Sequence, residues 1–242
     1  MHRFPLLIFI LIILSSRVVS AEELELAIGL TLPPYIFPDT KTGLELDIVR
    51  ESLGLVGYSI KPVPVPFARV TRHLTSGKVD GALTVSESAG LEDVFFSESH
   101  ITYHNVAVSL AGNRYRIEKI DDLVQRSVLA FQNATKYLGS EYASATKRSK
   151  AYHETHDQKK QVLLLYKKRT QVIIIDINIF KYYRQQLEDE VNLEEVTIHE
   201  IFSPSPYKVG FRAAGVRDAF NKGLAELRKT GRYDEIIRSY IH

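Results

Sequence analysis

The sequence predicts an α/β fold, in which strands and amphipathic helices alternate along the chain. Apolar residues recur at helical spacing after Leu46, and Gly57 and Gly77 follow two predicted helices at positions where glycine ends a helix. The apolar run Val172–Ile175 is typical of a strand covered on both faces of a sheet. The alternation favours mostly parallel sheets, but it leaves open whether there is one sheet or two.

The first part of the chain contains three extended segments and two helices. Prolines at 62, 64 and 66 forbid a helix in the second extended segment. In order, the predicted elements are a strand at Glu25–Leu30, a helix from Leu46 to Val56, an extended segment at Tyr58–Val65, a short helix at Phe67–Ser76 and a buried strand at Val79–Val85.

The second part continues the alternation and ends in a pair of helices broken at Gly231. Residues 144–160 are polar, and their pattern predicts no definite element. The strands are predicted at Thr102–Leu110, Ser127–Phe131, Gln171–Ile175, Val196–His199 and Lys208–Arg212. The helices before the final pair are predicted at Ile117–Val124, Lys136–Tyr142, Gln161–Tyr166 and Ile177–Leu187.

Composition excludes several classes of function. A chain of 242 residues, 45% hydrophobic, can bury one large core or two modest ones. A formal net charge of +2 without basic clusters gives no footprint for nucleic acid. Without cysteine the chain has no disulfide and no nucleophilic thiolate. The histidines of His153–Asp157 lack a second coordinating cluster, so we expect no metal. The sequence shows no clear acid–base pair beyond scattered Glu and Lys, so we expect no catalytic residue, and we expect no cofactor.

Residues 1–20 have the pattern of a cleaved signal peptide. A basic start precedes the apolar run Phe4–Leu14, and small residues precede Ala21. The run is shorter than the roughly 20 residues that a membrane-spanning helix needs, although an uncleaved anchor is the alternative. Because no cysteine follows the signal to carry a lipid, we expect a soluble, non-lipidated protein in the periplasm.

Several short motifs occur in an order that resembles one protein family. They are Pro34-Tyr35, the group Gly43, Glu45 and Asp47, the spacing Leu74, Gly77 and Asp80, the step Phe96-Ser97, a strand ending in Asp176, and the break Gly231-Arg232-Tyr233. Together they resemble the extracytoplasmic solute-binding proteins of family 3, the polar amino-acid-binding type that serves ABC importers. The resemblance covers nearly all of residues 23–242.

This resemblance implies a type II periplasmic binding protein fold, with two α/β lobes joined by two hinge strands. Lobe 1 would comprise residues 21–103 and 202–242, and lobe 2 residues 104–201. The implied function is capture of a small polar molecule, amino acid-like or an amine, in the interlobe cleft, by a monomer that delivers it to an inner-membrane ABC permease. The alternatives are a dehydratase-like enzyme on the same fold and a ligand-sensing module for a separate receptor.

Tyr35 and Asp176 are the leading candidates for ligand contact. Tyr35 either stacks on the ligand or packs its loop onto the core. Asp176 lies at the C-terminal end of a buried strand, where α/β sheets bind ligands, and the resemblance implies that it holds a ligand ammonium. The alternative for Asp176 is an N-cap of the helix that follows.

Six further residues complete the predicted site. Asn133 and Thr135 lie at a strand-to-helix turn whose backbone N–H groups either favour an anion or are simply capped. Arg69 either pairs with a ligand carboxylate or pairs with a surface acid such as Glu45. The remaining members are Phe67, which precedes Arg69, and the hydroxyl residues Thr84 and Ser86.

Position 90 departs from the family pattern. The resemblance implies an arginine six residues before Phe96 that clamps the ligand carboxylate, but Gly90 stands there and cannot replace a bidentate fork. Either Arg69 takes over the carboxylate or the ligand lacks one, in which case a cationic amine held by Asp176 and Tyr35 is a candidate.

Overall fold

The structure is a computed structural model that describes residues 21–241, so the predicted signal peptide lies outside the described residues. In chain order the strands are β1 (Glu22–Gly29), β2 (Tyr58–Val65), β3 (Gly81–Val85), β4 (Phe95–Phe96), β5 (Ile101–Tyr103), β6 (Asn105–Leu110), β7 (Val128–Phe131), β8 (Tyr152–Thr155), β9 (Val172–Asp176), β10 (Val196–His199) and β11 (Ser205–Phe211). The α-helices are α1 (Leu44–Gly54), α2 (Val70–Thr75), α3 (Ala134–Tyr137), α4 (Gly139–Arg148), α5 (Gln158–Tyr166), α6 (Ile177–Gln186), α7 (Ala214–Lys229) and α8 (Arg232–Tyr240).

The strands form two mixed sheets. The first has the order β2-β1-β3-β11-β4, with β5 also paired to β11, and the second has the order β10-β6-β9-β7-β8. Strand β1 runs parallel to both neighbours, and so does β7, whereas β11 and β6 run antiparallel to theirs. The predicted α/β class is confirmed, but the expectation of mostly parallel sheets is wrong. In the first sheet the antiparallel pairs are those of β11, which returns to this sheet after the chain has built the second, and in the second sheet they are those of β6, the strand by which the chain enters it.

The chain crosses between the sheets twice. The first crossing passes through His104, which separates β5 in the first sheet from β6 in the second, so the single predicted strand Thr102–Leu110 is two strands. The backbone of His104 is held by the second sheet, because its N–H donates to Asp176 Oδ2 at 2.8 Å and its carbonyl accepts from Ile177. The second crossing runs from His199 to Ser205.

Helices α1, α7 and α8 cover one face of the first sheet. Apolar residues at helical spacing, including Leu46, Leu53, Phe220 and Leu224, are buried between them. Gly223 permits the close approach of α1 and α7, because a Cβ there would lie 1.9 Å from the carbonyl oxygen of Ser52. No helix within residues 21–241 combines the length and apolar character needed to cross a membrane.

Four local predictions need correction. The helix predicted at Phe67–Ser76 begins with a 3-10 turn at Phe67–Arg69, and the helix predicted at Ile117–Val124 is only a 3-10 turn at Ile120–Leu123. The polar region 144–160 contains the end of α4 and all of β8. Helix α5 begins earlier than predicted because Asp157 caps it, accepting from the backbone N–H of Lys160 at 2.9 Å.

Candidate functional site

A pocket of about 440 Å³ lies where loops and strand ends of the two sheets meet. Both sheets supply its wall: the segments after β1 and β2 come from the first, and those after β7, β8 and β9 from the second. The lining comprises Gly29, Leu30, Thr31, Leu32, Pro66, Phe67, Ala68, Thr84, Tyr103, Asn105, Phe131, Gln132, Tyr137, Thr155, His156, Gln158, Asp176, Ile179 and Tyr207. A concave site of this size at strand ends is typical of small-molecule binding.

Four aromatic residues of this lining, Phe67, Tyr137, Tyr207 and Tyr103, form a continuous series that we call the aromatic wall. Successive ring centroids are 5.9, 6.1 and 4.8 Å apart. Burial raises the pKa of the Tyr137 phenol, and burial, followed by the neighbouring Tyr137 phenol and then by the charges of Glu45 and Asp176, raises the pKa of Tyr207, so both rings are neutral. Phe67 was among the predicted site residues, but sequence reasoning missed the three tyrosines.

Asp176 lies at the end of β9 and is one of the residues that line the pocket. Its Oδ1 accepts from the hydroxyl of Tyr35 at 2.9 Å and from the backbone N–H groups of Asn178 and Ile179 at 2.9 and 3.1 Å. Its Oδ2 accepts from the backbone N–H of His104 at 2.8 Å. Burial raises the pKa of the carboxyl above its ordinary value, and these hydrogen bonds oppose that shift. Asp176 is therefore an N-cap of α6 and a pocket residue at once.

Tyr35 lies behind the pocket, outside its lining. Its side chain is 1% exposed, and its ring stacks on Tyr103 with centroids 3.9 Å apart. Burial, followed by the charge of Asp176, raises the pKa of its phenol. The expectation that Tyr35 stacks on a ligand needs correction, because the loop after β1 is packed onto the core with Tyr103 covering one ring face.

A second buried carboxylate, Glu45, lies behind Tyr103. Both of its oxygens accept from the hydroxyl of Thr84 at 2.9 Å; Oε2 also accepts from the hydroxyl of Tyr103 at 3.0 Å, and His100 Nε2 lies 2.9 Å from Oε1. Sequence reasoning treated Glu45 as a surface partner for Arg69. Glu45 precedes Ile48 by three positions, a helical spacing that places both on the buried face of α1. That spacing could have identified Glu45 as a buried residue.

The other predicted residues are dispersed. Thr84 lines the pocket, but its backbone φ is +56°, in the left-handed region that β-branched residues seldom adopt, and its hydroxyl points to Glu45. Arg69 is exposed and lies outside the lining, so the expectation that it enters the cleft needs correction. Ser86 lines a neighbouring cavity of about 470 Å³. Gly90 is exposed and lies outside the lining of both cavities.

The backbone N–H groups of Asn133 and Thr135 already donate to a carboxylate from the same chain. Glu154 on β8 accepts from the backbone N–H of Asn133 at 2.7 Å, and from the backbone N–H and the hydroxyl of Thr135, each at 3.2 Å. The hydroxyl of Tyr152 donates to the same carboxylate at 2.7 Å. The turn thus attracts an anion, as its exposed N–H groups predict, but the anion is an internal glutamate.

The sequence matches the family described as bacterial extracellular solute-binding proteins, family 3, over residues 24–242. A comparison with curated proteins finds no match.

Solved structures share the fold. An ancestral arginine-binding protein bound to arginine is 22% identical, with a TM-score of 0.75, and the match covers 92% of this chain and 100% of that one. A histidine kinase sensor domain with similarity to periplasmic binding proteins is 18% identical, with a TM-score of 0.74 and coverage of 91% and 96%. The substrate-binding protein of an amino acid ABC transporter is 18% identical, with a TM-score of 0.67 and coverage of 90% and 98%. The two mixed sheets match the type II arrangement of periplasmic binding proteins, and the chain belongs to family 3 of the bacterial extracellular solute-binding proteins.

Proposed function

We propose that this protein captures a small polar molecule, amino acid-like or an amine, in the pocket between its two sheets, and delivers it to an inner-membrane ABC permease. The observation that carries the proposal is the pocket itself, about 440 Å³ in volume with walls supplied by both sheets. A ligand that touches both walls stabilises the arrangement in which they face each other, because it binds that arrangement better than a separated one.

In this proposal the sheets and their helices act as two lobes, residues 21–103 with 202–242 and residues 104–201, which move about the crossings at His104 and between β10 and β11. We propose binding and not catalysis, because Oδ1 of Asp176 accepts from Tyr35 and from the first backbone N–H groups of α6, which makes this carboxylate a fixed structural anchor. The predicted signal peptide supports release into the periplasm, and we propose that the protein acts there as a monomer.

The proposal is tested by filling the pocket. Ala68 lines it and is exposed, so Ala68→Trp would occupy the ligand space without disturbing the core. Ser144→Trp adds the same ring at an exposed position of α4 outside the lining and is the matched control. Native mass spectrometry of the freshly purified protein should detect a bound metabolite in the wild type and the control but not in Ala68→Trp. Equal retention by all three proteins would contradict the proposal.

A ligand-sensing role is the second candidate, favoured by the similarity in fold to the histidine kinase sensor domain. It uses the same pocket but a different partner. Co-purification of the ligand-loaded protein with a permease would favour transport, and co-purification with a separate membrane receptor would favour sensing.

A further inference from the structure

We propose that the pocket takes an organic cation without a carboxylate, an amine or alkylammonium, held by Asp176 and the aromatic wall. This inference rests on the proposed function and names the ligand class of the same site. Three observations carry it: the negative charge of the pocket lining, the rings of the aromatic wall, and the binding of Glu154 to the turn at Asn133 and Thr135.

The pocket is negative. In the part of its lining that the structure describes, Asp176 is the one Asp, Glu, Lys or Arg residue, so the formal charge of the lining is negative. Behind the aromatic wall, the carboxylate of Glu45 accepts from Tyr103. The charges of both acids raise the pKa of the Tyr103 and Tyr207 phenols beyond the effect of burial, so the negative field of both carboxylates reaches these rings.

Asp176 retains capacity for one more donor. Three protein donors converge on Oδ1, whereas Oδ2 has two lone pairs and one protein donor, the backbone N–H of His104. The residue is 1% exposed, so burial leaves little solvent access to its charge. An ammonium donating to Oδ2 would add a charge-assisted hydrogen bond to this buried carboxylate.

The aromatic wall suits the apolar part of such a cation. A cation within about 6 Å of a ring centroid is attracted by the ring face, and Phe67, Tyr137 and Tyr207 present consecutive rings along the lining. Alkyl groups next to a charged nitrogen also pack against these faces without leaving a polar group unpaired.

A ligand carboxylate would find the anion-binding turn occupied. The N–H groups of Asn133 and Thr135 already donate to Glu154, which Tyr152 also holds. A ligand carboxylate could use these N–H groups only by displacing the tethered glutamate, and elsewhere in the pocket it would meet the negative charge of Asp176. The site therefore discriminates against amino acids by repulsion as well as by the choice of attractive groups.

The test compares pairs of compounds that differ only in the α-carboxylate: agmatine with arginine, putrescine with ornithine, and tyramine with tyrosine, with choline as a quaternary ammonium. Isothermal titration of the purified protein should give at least tenfold tighter binding for the amine than for the amino acid in one or more pairs. Tighter binding of the amino acids would overturn the proposal. Choline binding without amine binding would assign the site to quaternary ammonium.

Asp176→Asn removes the charge and can keep the helix cap through its amide oxygen, although its NH₂ group then faces the backbone N–H of His104. We expect it to weaken amine binding at least tenfold. Asp122→Asn is the matched control, because Asp122 also accepts two backbone N–H groups at a helical start but lies outside the lining. Equal affinity of both variants and the wild type for the amine would overturn the role of Asp176.

Failure of the ligand class is distinguishable from failure of the proposed function. If none of these compounds binds but the wild type carries a neutral or anionic metabolite that Ala68→Trp lacks, the cation assignment is wrong and solute capture stands. If no compound binds and no metabolite is retained, both proposals fail.

Discussion

The hydroxyl of Tyr35 donates to Asp176 Oδ1 across 2.9 Å and thereby joins the first sheet to the second behind the pocket. Tyr35 belongs to the loop after β1, whereas Asp176 ends β9. The link continues through the stacked ring of Tyr103 to the carboxylate of Glu45. A buried polar series of this kind stabilises one arrangement of the sheets only while each member keeps its partner.

Tyr35→Phe should therefore lower stability without disturbing the ring stack. It leaves Asp176 with one donor fewer and the side-chain amide of Asn178 without its acceptor at 3.1 Å. We expect a loss of about 1–2 kcal/mol in the free energy of unfolding, measured by urea denaturation. Tyr58→Phe is the control, because Tyr58 is half-buried and its hydroxyl has no hydrogen-bond partner among residues 21–241. Equal losses in both variants would show that the Tyr35–Asp176 bond contributes nothing specific.

Glu45→Gln should be more damaging. Two hydroxyls and an imidazole converge on this fully buried carboxylate, and an amide would turn an NH₂ group toward one of those donors. We expect a loss of about 3 kcal/mol in the free energy of unfolding. A double-mutant cycle with His100→Gln would measure the coupling, and strict additivity of the two substitutions would contradict a direct Glu45–His100 interaction.

The sequence predicted elements better than their contacts. Proline spacing fixed β2 at Tyr58–Val65, and the apolar run before Asp176 located β9 within one residue of its bounds. The break of Thr102–Leu110 at His104 was not visible, because both halves are apolar and only their pairing partners differ. The direction of β11 likewise depends on the return of the chain from the second sheet, which local pattern does not encode.

The candidate site was predicted only in part. The strand-end rule located Asp176, and its position before α6 correctly indicated an N-cap. Tyr137 and Tyr207 were missed because their residues are far apart in sequence and their rings meet only after both sheets have formed. Glu154 was considered only as part of a metal-like run, since its contact with Asn133 depends on the parallel pairing of β7 with β8.

The pKa of Asp176 predicts a pH-dependent stability difference. Burial raises this pKa in the folded protein above the ordinary value of 3.8, so the folded state binds the proton more tightly than the unfolded state. The resulting stabilisation is complete below the unfolded pKa and is lost as pH rises through the folded pKa. Asp176→Asn cannot titrate. Urea denaturation between about pH 4 and about pH 8 should show the wild type gaining stability relative to the variant as pH falls. A pH-independent difference would contradict the raised pKa.

Two glycines of α7 should respond oppositely to alanine. Gly223→Ala would place a Cβ 1.9 Å from the carbonyl oxygen of Ser52 and force α1 and α7 apart, so we expect a loss of about 2–3 kcal/mol in the free energy of unfolding. Gly215→Ala meets no atom within 4 Å and should be neutral or stabilising by up to about 1 kcal/mol, because alanine favours helix. Urea denaturation of both variants would measure these changes in the free energy of unfolding. No loss of stability in Gly223→Ala would contradict the close packing of α1 against α7.

Tyr137 separates the pocket from the neighbouring cavity that Ser86 lines. Tyr137 and Tyr207 belong to both linings, and their rings are 6.1 Å apart. Tyr137→Ala would open one of the two partitions between spaces of about 440 and 470 Å³, remove a ring face and admit water to the ligand site. We expect it to weaken binding of the co-purified metabolite by about tenfold, measured by isothermal titration after the metabolite is identified.

Tyr137→Phe keeps the ring and should bind within about twofold of the wild type, since no hydrogen bond of this hydroxyl is found among the described residues. A large loss in Tyr137→Phe would assign the effect to the hydroxyl and contradict the role of the ring as a partition.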